Sequence, residues 1–399
     1  MAERLDYLDE ELDFSDEEQE ARDFGDQQEE LIRYYLYKGF TYQEICQFLS
    51  QYHDKEMSLS TLKRRVKQFG LRRRNPEYDV NLVRDAIISL LEGPDCLQGY
   101  RSIWHTLQMN GIRVPRLVVE QLLRELDPEG TMERRGHRLK RRVYHNPGPN
   151  YAWHCDGYDK LKPFGFPIHG CIDGWSRKVI WLYVTRSNNL PSNIAKYYLE
   201  AVNKCNGCPI DLVTDLGTEN GLMAGIHSFF RDDPNSHRYV PSPRNQRIEG
   251  WWSFLRKHQT SWWINLFNDL CTRGIVNLTE ILEKECLWFC FASLLQQHLN
   301  DICDHWNTHY IRRSRHNTVS GRPAALFYLP EAHGGTPNLL LEVPEEQMNY
   351  ASHHLVEAQE NNDYEEYFNY VMENCQLQYP TNWHDALRLY HLMINYAKN

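Results

Sequence analysis

Several features that would place the chain in a membrane or outside the cell are missing from its 399 residues. There is no run of about 18 apolar residues, so no helix able to cross a bilayer is predicted. The first residues have neither the basic start nor the apolar stretch of a secretory signal. The eleven cysteines are odd in number and scattered, without the spacing of a disulfide framework. These absences predict an intracellular protein with reduced thiols.

A zinc-finger framework is missing as well. Cys205 and Cys208 form a CxxC pair, but zinc-binding modules need a second pair of ligands at a characteristic spacing. We therefore expect a turn between two elements at this pair, rather than a metal site.

The chain also lacks positive charge overall, since its formal net charge is -10. The first thirty residues hold 14 Asp and Glu against two Arg, a net charge of -12, which leaves +2 for the rest. Residues 1–27 are too acidic and too poor in apolar residues to bury a core, so we expect a disordered acidic tail. A regulatory or partner-binding role is the alternative. The nearly neutral remainder can still form local basic surfaces, so a nucleic-acid partner is not excluded.

Residues 28–75 have the pattern of three short helices and are predicted to form a helix-turn-helix DNA-binding domain. Thr41 and Ser60 are suitable N-caps, and Gly39 and Gly70 stand where helices end. A helical bundle with a solvated basic face is the alternative. The candidate DNA-binding residues on and after the third helix are Lys63, Arg64, Arg65, Lys67, Arg72, Arg73 and Arg74.

Residues 76–130 repeat the amphipathic helical pattern and predict a second helical domain, similar to a helix-turn-helix. A basic linker, residues 131–150, follows and ends at Pro147 and Pro149. Its basic residues are predicted to track phosphates or to act as a nuclear-import signal, with a solvated linker as the alternative. They are Arg134, Arg135, Arg138, Lys140, Arg141 and Arg142.

From residue 151 the pattern changes to strands. Three successive strands, then alternating helices and strands, predict an α/β domain with a mixed sheet over residues 151–330. The continuous apolar run at residues 179–184 is typical of a strand buried on both faces. Long helices are expected from Arg244 onward and over 280–310, and residues 331–399 are predicted to be a helical C-terminal extension.

Three acidic residues of this domain are predicted to meet. Asp156 lies in the first strand, Asp215 ends the fourth, and Glu249 lies in the first turns of a long helix. If the first and fourth strands are neighbours, both aspartates emerge at one sheet edge, where the helix can bring the glutamate. Clustered carboxylates repel one another unless cations occupy the site, which favours two divalent metal ions acting on a phosphodiester.

The sequence around these residues resembles the integrase core shared by retroviral and retrotransposon integrases. The resembling blocks are HCDGYDK, VTDLGTENG and SPRNQRIEGWWSFLR, followed by WNTHYIRRSRHNTVSGRPAALF, which is similar to the closing segment of that core. The resemblance covers about 151–330. It implies an RNase H-like fold with a mixed five-stranded sheet, two Mg2+ or Mn2+ ions held by Asp156, Asp215 and Glu249, and DNA end processing with strand transfer.

The chain also departs from the retroviral pattern. The zinc-binding N-terminal domain is missing, because residues 1–150 contain only Cys46 and Cys96. Instead, GYRSIWHTLQMNGIRVPRLVVEQLLRELDP resembles the helical region upstream of the core in integrase-like transposases of bacterial insertion sequences. The interval between Asp215 and Glu249 is slightly shorter than is usual in the family, which indicates a trimmed loop.

Neighbouring residues receive expectations of their own. Asp159, Asp173 and Glu219 are expected to have surface roles, since an isolated acid usually caps a turn or faces water. On the helix of Glu249, Ile248, Trp251 and Leu255 are predicted to face inward, and Asn245, Trp252, Ser253 and Arg256 to share the side of Glu249. The candidates to hold DNA beside the metal ions are Arg244, Arg247, Arg256 and Lys257.

These features favour a nuclear, transposon-derived integrase or transposase that cleaves and joins DNA. Its expected partners are transposon ends, a target duplex and further copies of itself, with no membrane or small-molecule substrate. The alternative is a host-recruited nucleic-acid-binding protein that keeps the integrase fold without requiring catalysis. A general nuclease of RNase H type fits the acids but not the upstream helical modules.

Overall fold

The computed structural model describes residues 16–73, 77–133, 146–313, 319–355 and 362–398. For residues 16–26, 132–133 and 243 it describes the backbone alone. The chain forms two compact units, Met1–Asn75 and Pro76–Asn399. The finer domain boundaries at 130, 150 and 330 stay predictions. Among the described helices, none is both long and apolar enough to span a bilayer.

The first unit contains three helices, α1 (Asp16–Tyr37), α2 (Tyr42–His53) and α3 (Leu59–Gln68). Thr41 caps α2 as expected, in a capping box with Glu44. At α3 the cap is Ser58 rather than Ser60, because the Ser58 hydroxyl accepts the Thr61 N–H at 3.1 Å. Gly39 and Gly70 have φ of 87° and 62°, the left-handed conformation that ends a helix.

Helix α1 begins twelve residues before the expected domain boundary at residue 28, so residues 16–27 are helical where the sequence predicted disorder. The segment DEEQEARDF is rich in the helix formers Glu, Gln and Ala. Three acids at its start also suit the positive end of a helix dipole. Charge, which opposes burial, is therefore compatible with helix here. Residues 1–15 of the predicted tail lie outside the described residues.

The second unit opens with the expected helices α4 (Val80–Leu91), α5 (Tyr100–Met109) and α6 (Arg116–Leu126), followed by the short α7 (Pro128–Glu133). Their apolar faces share one small core. The basic part of the linker, residues 134–142, lies outside the described residues.

Five strands then form one mixed sheet in the order β3-β2-β1-β4-β5. They are β1 (Ala152–Tyr158), β2 (Ile168–Asp173), β3 (Val179–Val184), β4 (Asp211–Thr214) and β5 (His237–Tyr239). The first three pair antiparallel, whereas β4 lies parallel to both β1 and β5. This sheet confirms the expected α/β class and is consistent with an RNase H-like core. One detail differs: β3 is an edge strand and only half-buried at three of its six positions.

Helices cover both faces of the sheet. Alternate residues of β1 pack in opposite directions, so Trp153 and Cys155 join one apolar cluster and Tyr158 the other. The first cluster contains α8 (Pro191–Cys205) and α9 (Gly221–Arg231). The second contains α10 (Gln246–Leu255), α11 (Ser261–Thr272) and α12 (Ile281–Thr308). A π-helical segment, Arg256–Thr260, interrupts the long helix expected from Arg244.

The C-terminal region is helical, as expected, but it packs into the core clusters. Helix α13 (Pro323–Tyr328) still lies within the span predicted for the core, and the region after residue 330 contains α14 (Glu345–His353), α15 (Asp363–Asn374) and α16 (Trp383–Lys398). Phe368 of α15 and Tyr390 of α16 belong to the same buried cluster as α12. The backbone of Leu341 pairs with that of Cys208, and the predicted turn between Cys205 and Cys208 joins α8 to β4 with both thiols free.

Candidate active site

Asp156 lies in the middle of the sheet, on β1 between β2 and β4. Its side chain is 9% exposed, and one carboxylate oxygen, Oδ2, accepts a hydrogen bond of 2.9 Å from the Trp252 indole N–H. Gly170 stands opposite Asp156 on β2, and a Cβ at Gly170 would lie 2.8 Å from the Trp252 ring. The glycine thus leaves the space in which the indole reaches the carboxylate.

Asp215 follows the last residue of β4 and is half-buried. The parallel pairing of β1 with β4 sets His154 against Val213, so continuing this register brings Asp156 level with Asp215. The carboxylate of Asp215 accepts hydrogen bonds from the Gly217 N–H at 3.2 Å and the Asn220 amide at 3.0 Å. The two strands β1 and β4 are therefore neighbours in the sheet, as the sequence predicted.

Glu249 is in the first turns of α10, and a buried residue fixes the start of that helix against β1. Asn245 is 0% exposed, and its side-chain amide donates to the Cys155 carbonyl at 2.9 Å. Its amide oxygen lies 2.7 Å from Nδ1 of His154. Burial is the main cause that lowers the pKa of His154, to about 4, so the ring is neutral at physiological pH and Nδ1–H can donate to Asn245. Two hydrogen bonds thus position the helix that carries Glu249.

The three carboxylates interact electrostatically. Burial raises the pKa of Asp156 to about 7, and repulsion from Asp215 and Glu249 adds to the rise, while hydrogen bonds from Trp252 and Gly157 oppose it. Burial and the charge of Asp215 also raise the pKa of Glu249. Burial is thus the largest cause of both raised pKa values, and the neighbouring negative charges add to it.

These side chains do not form a closed metal cage in the described residues, where no group of three or more His, Cys, Asp or Glu side chains could hold a metal ion as they stand. Repulsion between like charges favours such separation. Their donor chemistry nevertheless fits a hard divalent cation, since every ligating atom would be a carboxylate oxygen. A cation would also stabilise the charged form of Asp156, which burial and then the neighbouring carboxylates disfavour.

The three other acids differ from one another. Asp159 is exposed, as expected, and accepts from Asn188 at 2.7 Å. Glu219 is half-buried beside Gly217. For Asp173 the surface expectation is wrong, because it is 0% exposed and its carboxylate accepts from the backbone N–H groups of Asn150, Trp175 and Ser176 and from the Ser176 hydroxyl. A tight turn after β2 requires this buried acceptor.

The inward stripe of Ile248, Trp251 and Leu255 is buried as predicted. Trp252 was predicted only to share the side of Glu249, and it is buried at 5% exposure. Trp252 lies between Glu249 and the inward stripe around the helix, and its indole reaches Asp156 of β1, whereas Ser253 and Arg256 are exposed. Helical periodicity predicted the side of the helix on which Trp252 lies, but it did not predict the hydrogen bond from Trp252 to Asp156.

The candidate DNA-binding residues fall into three groups. Exposed ones are Lys63, Arg64, Lys67, Arg72, Arg244, Arg256 and Lys257. Partly buried ones are Arg65, Arg73 and Arg247. Arg73 donates to the Phe40 carbonyl and lies over the Tyr42 ring, which makes it part of the fold of its unit. The remainder lie outside the described residues, namely Arg74, Arg134, Arg135, Arg138, Lys140, Arg141 and Arg142.

A five-stranded mixed sheet in the order β3-β2-β1-β4-β5, with helices on both faces, defines the class of RNase H-like proteins. Residues 143–328 match the family model of the integrase core domain. These residues therefore form an integrase core domain, and the family predicted from the sequence is confirmed. No match was found among curated proteins.

The domain assigns a general kind of function. Its family is of the polynucleotidyl transferase type, binds nucleic acid and generally uses divalent metal ions. The domain at residues 143–328 suggests an integrase or transposase type of function.

Proposed function

We propose that the protein is a transposon-derived integrase or transposase that binds DNA in the nucleus and catalyses phosphodiester cleavage and strand transfer. The observation that carries this proposal is the placement of three acids within the integrase core domain: the strand register sets Asp156 level with Asp215, and the helix of Glu249 is anchored to β1. Carboxylates placed close together repel one another and cost stability, and divalent cations bound between them offset that cost.

In this proposal Asp156, Asp215 and Glu249 hold two Mg2+ or Mn2+ ions. When bound, such ions activate the attacking oxygen and stabilise the leaving oxygen of a phosphodiester. The chain itself contributes position: Trp252 orients the Asp156 carboxylate, and Asn245 fixes the helix that carries Glu249.

Basic side chains hold the duplex in the same proposal. Arg244 comes just before the helix of Glu249, Arg256 and Lys257 belong to the π-helical segment just after it, and all three are exposed. The exposed basic side chains of α3, in the first unit, would contact phosphates of the duplex. A multimer is expected because a recombinase must bridge two DNA ends.

The test uses duplexes that carry the terminal inverted repeats flanking the gene, incubated with the full chain and Mg2+ or Mn2+. The parent is expected to nick and join them, and Asp156→Asn, Asp215→Asn and Glu249→Gln each to abolish both reactions. These changes keep side-chain shape but remove a charge that holds a hard cation. Binding of DNA without metal should remain or tighten slightly, since negative charge beside phosphate is removed.

Glu219→Gln is the matched control, because Glu219 is acidic and close to Asp215 but outside the matching motif. Activity lost in Glu219→Gln and retained in Glu249→Gln would overturn the choice of third ligand. If all four variants match an active parent, metal catalysis at this site is wrong.

A second candidate is a host-recruited DNA-binding protein. The exposed cations of α3, which belong to a different unit from the carboxylates, would serve this function without any chemistry. It predicts DNA binding by the parent with neither nicking nor joining in either metal, and no extra thermal stability from the metal.

A further inference from the structure

Asn220 is a buried amide side chain beside one of the three acids. It ends the short turn Thr218–Asn220 after β4 and is 1% exposed. Its amide nitrogen donates to Oδ1 of Asp215 at 3.0 Å, and the Gly217 N–H donates to the same oxygen at 3.2 Å. In the described residues Oδ2 of Asp215 accepts no hydrogen bond. One oxygen of Asp215 is therefore held, and the other is left for a different partner.

The hydrogen bond to Asp215 determines which way the Asn220 amide points. An ionised carboxylate accepts hydrogen bonds and donates none, so the amide nitrogen faces Asp215 and Oδ1 of Asn220 points elsewhere. That oxygen is buried and has no hydrogen-bond partner in the part of the chain that the structure describes. A buried acceptor without a partner costs stability. Replacing the whole amide by an apolar side chain of similar size should therefore change the stability of the fold little.

The elements on both sides of this turn are fixed to the same apolar cluster. Leu212 of β4 and Met223 of α9 are both 0% exposed and belong to the cluster that contains Trp153 of β1. The Asn220 N–H donates to the Gly217 carbonyl at 3.3 Å, which closes the turn. Packed elements thus hold the amide in place, as is needed for a residue that orients another side chain.

The unbonded oxygen of Asp215 is the one that a cation would use. Hard divalent cations take carboxylate oxygens as ligands, and Mg2+ demands nearly octahedral geometry. Hydrogen bonds that fix a ligating carboxylate support metal binding, and their loss typically costs about 10- to 100-fold in metal affinity or activity. Trp252 has this relation to Asp156, and Asn220 has it to Asp215.

We propose that Asn220 is a positioning residue of the metal site, which holds Asp215 by Oδ1 so that Oδ2 is presented to a divalent cation. The inference rests on the proposed function for the presence of the metal. Asn220 acts only through Asp215. The second hydrogen bond comes from the backbone of Gly217 and remains when Asn220 is replaced, so the effect of the Asn220 amide can be measured by itself.

The experiment measures the melting temperature of the full chain, without DNA, over a range of Mn2+ concentrations. Asn220→Leu removes the amide and keeps a side chain of similar size. The Mn2+ concentration needed for a given rise in melting temperature should increase about tenfold or more. The melting temperature without metal should change little, because the unpartnered acceptor is removed together with the donor. In an Asp215→Asn background, Asn220→Leu should have no further effect on the Mn2+ dependence.

Asn188→Leu is the matched control. Asn188 is buried at 4% exposure, its amide donates to Asp159 at 2.7 Å, and its Oδ1 has no partner among the described residues. It therefore has the same kind of surroundings as Asn220, but its aspartate is exposed and is not one of the three acids. The control should leave the Mn2+ dependence unchanged. If Asn220→Leu does not fold, Asn220→Ala removes the amide without adding bulk and has the same expected effect on the Mn2+ dependence.

Nicking of the inverted-repeat duplexes gives a second readout. Asn220→Leu should need about tenfold more Mn2+ for the same rate, and saturating Mn2+ should restore much of the parent rate. A loss of rate that Mn2+ does not relieve, with an unchanged Mn2+ dependence of melting, would mean that Asn220 does not act through the metal site and overturns the proposal.

The remaining outcomes separate this proposal from the proposed function. If Mn2+ raises the melting temperature of the parent and of Asn220→Leu at the same concentrations, only the role of Asn220 is rejected. An equal increase in the Mn2+ requirement of both asparagine variants also rejects it, since packing would then explain the effect. If Mn2+ does not raise the melting temperature of the parent at all, the metal site of the proposed function is rejected, and the role of Asn220 with it.

Discussion

Asp156 is a carboxylate that the fold disfavours in its charged form. Its raised pKa comes first from burial and then from Asp215 and Glu249. Asp156→Asn keeps the acceptor for the Trp252 indole while removing the charge. We therefore expect the variant, without metal, to melt about 2–4 °C higher than the parent, as a gain of about 1 kcal/mol would give.

Thermal melting with and without Mn2+ measures this effect. The rise in melting temperature that Mn2+ gives the parent should shrink in Asp156→Asn, because a ligand stabilises only the state that binds it. Asp159→Asn, at an exposed acid, is the control. An Asp156→Asn variant that melts below the parent would contradict the charge repulsion.

Two adjacent tryptophans allow a sharper comparison. Trp252 donates to Asp156, whereas the indole N–H of Trp251 is buried and has no hydrogen-bond partner in the described residues. Trp252→Phe and Trp251→Phe remove similar volume, but only the first frees the carboxylate. Residues that orient a metal ligand typically contribute about 10- to 100-fold, so Trp252→Phe should lower nicking at least tenfold more than Trp251→Phe does.

The matching measurements are nicking rate against Mn2+ concentration and thermal stability. Trp252→Phe should need more Mn2+ for half-maximal rate, and both variants should lose similar stability. Equal losses of activity in the two would mean that the indole hydrogen bond has only a structural effect.

The sequence could predict the three acids because each lies in a short block of residues that resembles the family. It could not predict the residues that position them. Trp252 is 96 residues from Asp156, and Asn245 is 90 residues from Cys155. Such contacts depend on strand order and helix docking, and a polar residue on a helix gives no local sign of a distant partner.

At the scale of elements, periodicity predicted most helices and the change to strands. It did not predict the π-helical segment after α10, which is an insertion within one continuous helical pattern. It also gave the wrong surroundings for β3, because an apolar run is equally compatible with an edge strand whose one face is covered by helix. The sequence did not predict that α1 begins at Asp16, because high charge argues against burial in a core but not against helix formation.

One acid of α12 adds hydrogen bonds to the apolar packing between α12 and α16. Glu283 accepts hydrogen bonds from Tyr390 at 3.1 Å, from Lys398 at 2.8 Å and from the Asn277 N–H at 2.7 Å. Burial raises the pKa of Glu283, but these hydrogen bonds outweigh burial and the net pKa is lowered. A lowered carboxyl pKa stabilises the fold above the unfolded pKa, and this contribution is lost as pH falls through the folded pKa.

Glu283→Gln should therefore lower the free energy of unfolding by about 1–2 kcal/mol at pH 7, with the exposed Lys398 contributing little of it. The difference from the parent should narrow as pH falls below the ordinary glutamate pKa of about 4.3 and through the lower folded pKa, because the folded parent then loses this charge. Urea unfolding at several pH values measures this, with the exposed Glu373→Gln of α15 as control. If the difference in free energy of unfolding between the parent and Glu283→Gln stays constant with pH, the variant loses only packing.

At the scale of the whole molecule, charge is divided along the chain. The first thirty residues carry a net charge of -12 and the remaining residues carry +2, which gives the total of -10. Overall charge is therefore a poor guide to the surfaces that bind DNA. The exposed cations of α3 lie in the first unit and the carboxylates in the second. Binding and chemistry can therefore be altered separately, because phosphate contacts position DNA whereas the carboxylates act on one bond.

Lys63, Arg64 and Lys67 are exposed on α3, and we predict that each binds a phosphate of the duplex. Removing one such cation lowers the slope of log affinity against log salt by about 0.9, so replacing all three by Gln should flatten the slope by about 2.7. The slope is measured by anisotropy with a blunt duplex in EDTA over a range of salt. The control replaces three exposed cations of the second unit, Lys204, Arg273 and Arg388, which removes the same charge. If the slope flattens equally in both triple variants, net charge rather than a surface on α3 governs binding. If the slope flattens only in the α3 variant, the phosphate-binding surface lies on that helix.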